Sequence, residues 1–149
     1  MELLKAAKPV LLTIACVASI YIVEALITGP VLRLMPKVRY GLPGGAFACI
    51  ICMYLVCYVS ISIVTFGTGF LHLANLKMIR LGVIIYLVCN WLMSMDHLFT
   101  SLKIRGSFSY LFLIVATSLC ALVLLAFLIS ARSLHAGGRI LRDKMKKAT

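Results

Sequence analysis

Residues 106–131 read GSFSYLFLIVATSLCALVLLAFLISA and carry no charge. A bilayer core of roughly 30 Å needs about 20 apolar residues of helix, so this stretch is long enough to cross. Three more runs match it. One covers about residues 9–29. A second lies inside the uncharged residues 41–76. A third covers about 78–99, with Arg80 and Asp96 near its ends. Lipid permits only helices and closed barrels to span it, and no strand-like alternation appears. The expected fold is therefore an all-α, integral membrane four-helix bundle with antiparallel neighbours. Its helices fall at about 9–29, 45–67, 78–99 and 106–131, and a basic arm at 132–149 completes one membrane domain.

Composition agrees. The chain has 149 residues, of which 63% are hydrophobic, where soluble domains hold about 45–50%. Its mean hydropathy is +1.10. These runs leave no room for a soluble catalytic domain, so function must sit in the bundle, the short loops or the basic arm. A net charge of +11 raises nucleic acid as a partner, but the cations stand beside helix ends, where topology demands them. No direct nucleic-acid binding is expected. Lys5, Lys8, Lys77, Arg80, Arg132, Arg139, Arg142, Lys144, Lys146 and Lys147 share one side. Arg33, Lys37, Arg39, Lys103 and Arg105 share the other. The larger group marks the cytoplasm, which places both chain ends inside; the expected location is a bacterial inner membrane. A signal peptide would carry a shorter apolar core, of about 7–15 residues, so the first helix is read as retained.

The connection at residues 30–45 contains Pro30, Pro36 and Pro43 with Gly41, Gly44 and Gly45. Prolines and glycines there predict a loop. The second helix is expected to end near Gly67-Thr68-Gly69. The short linker at 70–77 predicts that helices 2 and 3 are antiparallel neighbours, and the turn at 100–105 predicts the same for helices 3 and 4. In the arm, Leu134, Leu141 and Met145 share one helical face, and Arg139, Arg142 and Lys146 another. It reads as a tail on anionic lipid headgroups or as a docking arm for a cytoplasmic partner.

Glu24 is the most informative side chain. An acid within a membrane helix is costly and faces the bundle interior. It lies roughly 8 Å from the outer end of its helix. Thr13, Val17, Tyr21, Glu24 and Thr28 form one face. Matching stripes are Tyr54, Tyr58, Ser62 and Thr65 on helix 2, Tyr86, Asn90 and His97 on helix 3, and Tyr110, Thr117 and Ala121 on helix 4. Turned inward, they make a polar seam with Glu24 as its ionisable group. The seam serves either as interhelical hydrogen bonding, about 0.6 kcal/mol per contact, or as an ion or small-ligand site. Its named candidates are Glu24, Tyr21, Tyr58, Asn90 and His97.

An acid in helix 1 and a tryptophan in helix 3, here Trp91, resemble the small multidrug-resistance exporters. Six cysteines, Cys16, Cys49, Cys52, Cys57, Cys89 and Cys120, all lie in the helices, where free thiols behave as small hydrophobes. Cys49-Ile-Ile-Cys52 near the outer end of helix 2 resembles the motif of the quinone-linked disulfide-generating membrane enzymes. That resemblance implies a redox pair exchanging with a periplasmic thiol carrier. The second cysteine pair of that family, in the loop between helices 3 and 4, has no counterpart here. His72, His97 and His135 sit at incompatible depths for bis-histidine haem. No phosphate loop, metal-spaced cluster or paired carboxylates occur. No metal and no cofactor are expected.

The segment from Phe70 through Asn75, Lys77, Ile79 and Arg80 to Gly82 resembles the YoaS-like bacterial four-helix membrane family, whose function is unknown. The G-x-x-L arm Gly138-Arg-Ile-Leu141, followed by Arg142 and Asp143, is similar to that family's ending. The resemblance implies no enzyme activity. Members are often encoded beside a small helix-turn-helix regulator, which implies a membrane–regulator pair. The first functional reading is accordingly a non-enzymatic interaction or regulatory protein, with a small cytoplasmic regulator or another membrane subunit as partner. It would act through Asn75, Lys77 and Arg80 and through Arg139, Arg142, Lys144, Lys146 and Lys147. The alternative is a small transporter or channel subunit that uses the Glu24 seam. A further alternative is a thiol oxidoreductase that uses Cys49 and Cys52.

Overall fold

The structure, a computed structural model, describes residues 2–34, 43–72, 75–101 and 108–148. They form four helices, α1 (Glu2–Leu34), α2 (Pro43–Leu71), α3 (Leu76–Ser101) and α4 (Phe108–Ala148). No strand occurs among the described residues. Each helix is long and apolar enough to cross a membrane. The outer surface is apolar as well: Leu26 is 69% and Ile129 is 73% exposed. Contiguous apolar exposure on this scale is incompatible with a water-facing monomer and natural against lipid tails. The chain is an all-α, multi-pass membrane protein.

All four helices outrun their expected bounds at one end or both. α1 continues through Pro30, where the sequence predicts a loop. Proline removes one backbone donor, but in lipid every remaining helical hydrogen bond is kept because no water replaces it. α2 begins on Pro43, whose fixed φ suits the first helical position, and passes through Gly67 and Gly69. It ends at His72, which holds a φ of 59°, the left-handed conformation that closes many helices. Asn75 then starts α3, and its carbonyl accepts from Met78 N at 2.9 Å and Ile79 N at 3.2 Å. α4 has 41 residues, roughly 60 Å at 1.5 Å per residue. The arm is not a separate element but the last turns of this helix. Residues 35–42 and 102–107, which hold most of the two expected loops, lie outside the described residues.

Each helix packs on two others. α1 meets α2 and α3, α4 meets α2 and α3, and the α2–α4 contact is the most extensive. The helices therefore form a ring in the order α1, α2, α4, α3. This corrects the expectation that α2 and α3 are neighbours: they face each other across a diagonal. At roughly 3.3 Å per extended residue, even a short linker reaches across a diagonal, so loop length does not decide adjacency here.

Glycine decides it. Gly69 on α2 and Gly138 on α4 are both buried. A methyl group on Gly138 would collide with the Phe66 carbonyl and sit 2.7 Å from Phe70 N. A methyl group on Gly69 would collide with the His135 carbonyl, whose carbon would lie 3.0 Å away. The two backbones touch, as small residues allow between membrane helices. Farther along, Tyr58 Oη donates to Ser130 Oγ at 3.3 Å. From Tyr58 to Phe66 and from Ser130 to Gly138 the two helices advance in the same direction. The buried hydroxyls of Ser60 and Thr65 are satisfied within α2, by Val56 O at 2.8 Å and Ile61 O at 2.7 Å. Ile20, Ile61, Val83, Tyr86 and Phe127 fill the centre.

Candidate functional site

Helical spacing brings the site together. Tyr21 and Glu24 stand one turn apart on α1, Tyr54 and Cys57 one turn apart on α2, and Tyr86 and Asn90 one turn apart on α3, pairs that share a face. In the ring these faces converge. Tyr86 Oη donates to Glu24 Oε2 at 2.7 Å. The Cys57 thiol points at Glu24 Oε1 at 3.6 Å. Asn90 Nδ2 donates to Cys57 Sγ at 3.0 Å and lies 3.4 Å from Tyr86 Oη. The Tyr21 ring meets Tyr86 edge-on, with centroids 4.9 Å apart and planes at 69°. Such edge contacts are favoured by the ring quadrupole.

This arrangement has a chemical sense. Asn90 occupies acceptor positions on both the thiol and the phenol, which leaves their protons to aim at Glu24. Each carboxylate oxygen thus receives one donor. Two donors and no acceptor suit an ionised carboxylate, which only accepts. The cluster forms one wall of a cavity of about 620 Å³ lined by all four helices. Ile50, Met53, Tyr54, Met93, Ser94, Phe112 and Ala116 supply the rest. None of these lining residues is cationic, and small-molecule sites span roughly 300–1,000 Å³ with mostly apolar walls and few polar groups.

Of the seam residues named from the sequence, Tyr21, Glu24, Tyr54, Tyr86 and Asn90 meet here. Tyr58 does not. It turns to Ser130 on α4. The α4 stripe of Tyr110, Thr117 and Ala121 is also misplaced: Tyr110 is 72% exposed, and Thr117 accepts from Trp91 Nε1 at 3.1 Å on an exposed flank. α4 presents Phe112 and Ala116 to the cavity instead, because its close crossing with α2 sets its rotation. The side chain of His97 lies outside the described residues. Cys57 was hidden from sequence reasoning, which treats the cysteines other than Cys49 and Cys52 as small apolar residues. Met53 and Met93 had no signal at all in a chain so rich in apolar residues. Cys49 and Cys52 are half-buried free thiols on α2, and neither lines the cavity.

The other candidate residues lie apart from this site. Asn75, Lys77 and Arg80 stand at the start of α3, the first two exposed and Arg80 half-buried. Arg139, Lys144, Lys146 and Lys147 are exposed on the last turns of α4, and Arg142 is half-buried there. Comparison of the chain with protein-family models, with curated proteins and with solved structures finds no match. Any functional reading must therefore come from the geometry itself.

Proposed function

We propose that this protein is a small-ligand binding and transport protein, or a subunit of one, whose ionisable centre is Glu24. One observation carries the reading: a carboxylate held by two donors faces a cavity of ligand size with no cationic side chain among its described lining residues. An acid within a membrane bundle is by default a candidate for an ion or substrate path. The carboxylate calls for a positive partner, and a cationic ligand supplies one. Cys57 on α2 and Tyr86 on α3 bond to it, Tyr21 stands one turn away on α1, and among the described residues α4 adds Phe112 and Ala116 to the cavity. Among the described residues no other acid and no base lines the cavity. The test is binding. Tetraphenylphosphonium is expected to bind the purified protein in mild detergent and to bind Glu24→Gln more weakly. Equal binding by the two removes Glu24 from its central role.

In this reading the chain resides in a bacterial inner membrane with both ends in the cytoplasm. α1 and α3 run outward and α2 and α4 run inward. The shared direction of α2 and α4 supports this. So do the opposed contacts of α3 and α4, where the Leu87 carbonyl faces Cys120 and Trp91 faces Thr117. Reporter fusions after Thr149 are expected to be active only as cytoplasmic reporters, and one after Lys37 only as an external reporter. The reverse pattern would turn the bundle over. A second reading, a membrane interaction protein, draws on the helical arm. Exposed cations there, with Leu141 and Met145 also exposed, suit anionic headgroups or an acidic cytoplasmic partner. The two readings coexist, since cavity and arm occupy different parts of the molecule.

A further inference from the structure

Resting on the reading of Glu24 as a cation centre, we infer that the cavity selects cations that carry N–H donors: protonated primary or secondary amines on an aromatic or branched apolar body. Tyr54 supplies the reason. It lines the cavity and is only 6% exposed, yet its hydroxyl oxygen is buried without a hydrogen-bond partner. Ser94, also on the cavity wall, gives its own proton to the Asn90 carbonyl at 2.8 Å. A buried, unpaired hydroxyl is disfavoured unless something completes it. The Ser94 hydroxyl beside it can take the Tyr54 proton, and a donor on the ligand then completes the phenol's lone pair.

The remaining walls define the ligand's body. Each Glu24 oxygen already accepts one hydrogen bond, and a carboxylate oxygen has room for a second. The site therefore presents two open acceptors, the Glu24 carboxylate and the Tyr54 phenol. An ammonium group has up to three N–H bonds to share between them. A quaternary ammonium has the charge but no donor, and would leave the Tyr54 lone pair unused. Tyr21, Tyr54 and Phe112 offer ring faces to a cation, and Met53 and Met93 offer adaptable thioethers to an apolar body. An anion would meet Glu24 with no compensating positive group. A neutral alcohol could pair with Tyr54 but would leave the carboxylate charge unbalanced.

Three probes separate these terms in titrations of the full-length protein in mild detergent. They are phenethylammonium, its N,N,N-trimethyl counterpart, and 2-phenylethanol. Phenethylammonium is expected to bind at least tenfold more tightly than either of the others. Tyr54→Phe, which keeps the packed ring and removes only the hydroxyl, is expected to bring the two cations within about threefold. It should do so by weakening the amine alone. Glu24→Gln is expected to weaken both cations. If the trimethyl probe binds the unaltered protein as tightly as the amine, and both depend on Glu24, selectivity for N–H donors is wrong and the cation reading stands. If neither cation depends on Glu24, or none binds, both fall. The comparison of amine with trimethyl probe uses the unaltered chain, so it decides the matter even where a variant fails to fold.

Discussion

Replacing Gly138 with leucine is expected to separate α4 from α2 and to lower stability by about 3 kcal/mol, in the upper range for overpacked sites. Two effects oppose each other at this position. Leucine is a better helix former than glycine by roughly 1 kcal/mol, which favours the variant. Against it, the first carbon of the side chain would meet the Phe66 carbonyl and Phe70 N, both backbone. Backbone within a helix cannot yield as a side-chain tip can, so the steric term wins. Gly67 provides the contrast, because a methyl group there has nothing within 4 Å. Gly67→Ala is expected to be neutral or to stabilise by up to about 1 kcal/mol. Thermal unfolding of the two variants in one detergent checks both signs. A Gly138→Leu protein that melts with the parent would show that α2 and α4 do not cross at these glycines.

Glu24→Gln is expected to keep the fold and to cost the site about tenfold to a hundredfold in affinity for a monovalent organic cation. The amide has nearly the shape of the acid and still offers one oxygen to Tyr86. It loses a charge-assisted contact, worth about 1.5–3 kcal/mol, which converts to that range of affinities. Calorimetric titration of the two proteins measures the difference. Should Glu24→Gln bind tetraphenylphosphonium as the parent does, the carboxylate is a packing residue and its bonds to Tyr86 and Cys57 serve only the fold.

The four membrane helices could be read directly from residues 9–29, 45–67, 78–99 and 106–131, because apolar length is a local property. Their true ends could not. Pro30 and Gly69 are breakers in water, and the penalty for ending a helix inside lipid overrides them. Adjacency was also hidden. It rests on Gly69 and Gly138 meeting where α2 and α4 pack side by side, and two glycines that far apart in sequence carry no mark of contact. The site was half legible. Glu24 announced itself, since an acid among apolar residues is an anomaly, and Tyr21, Tyr54, Tyr86 and Asn90 followed from helical spacing. Cys57 needed three dimensions: it is an ordinary thiol until it stands between Glu24 and Asn90. Phe112 displaced Tyr110 because the rotation of α4 is set near Gly138, at the far end of the same helix.

The ring order bears on how the molecule is made. A chain threaded into the membrane from its N-terminus emerges as α1, α2, α3 and then α4. α2 must wait through the insertion of α3 for the helix on which it packs most extensively. Until then Gly69 faces lipid, and only the α1 side of α2 is covered. Glu24 meets Cys57 once α2 has entered and Tyr86 once α3 has, so the acid gains its donors one at a time during synthesis. A nascent chain halted before Phe108 would hold the complete set of hydrogen bonds to Glu24 and lack the wall made by Phe112 and Ala116. The polar cluster is thus assembled before the cavity around it, and the last helix to enter is the one that closes the bundle.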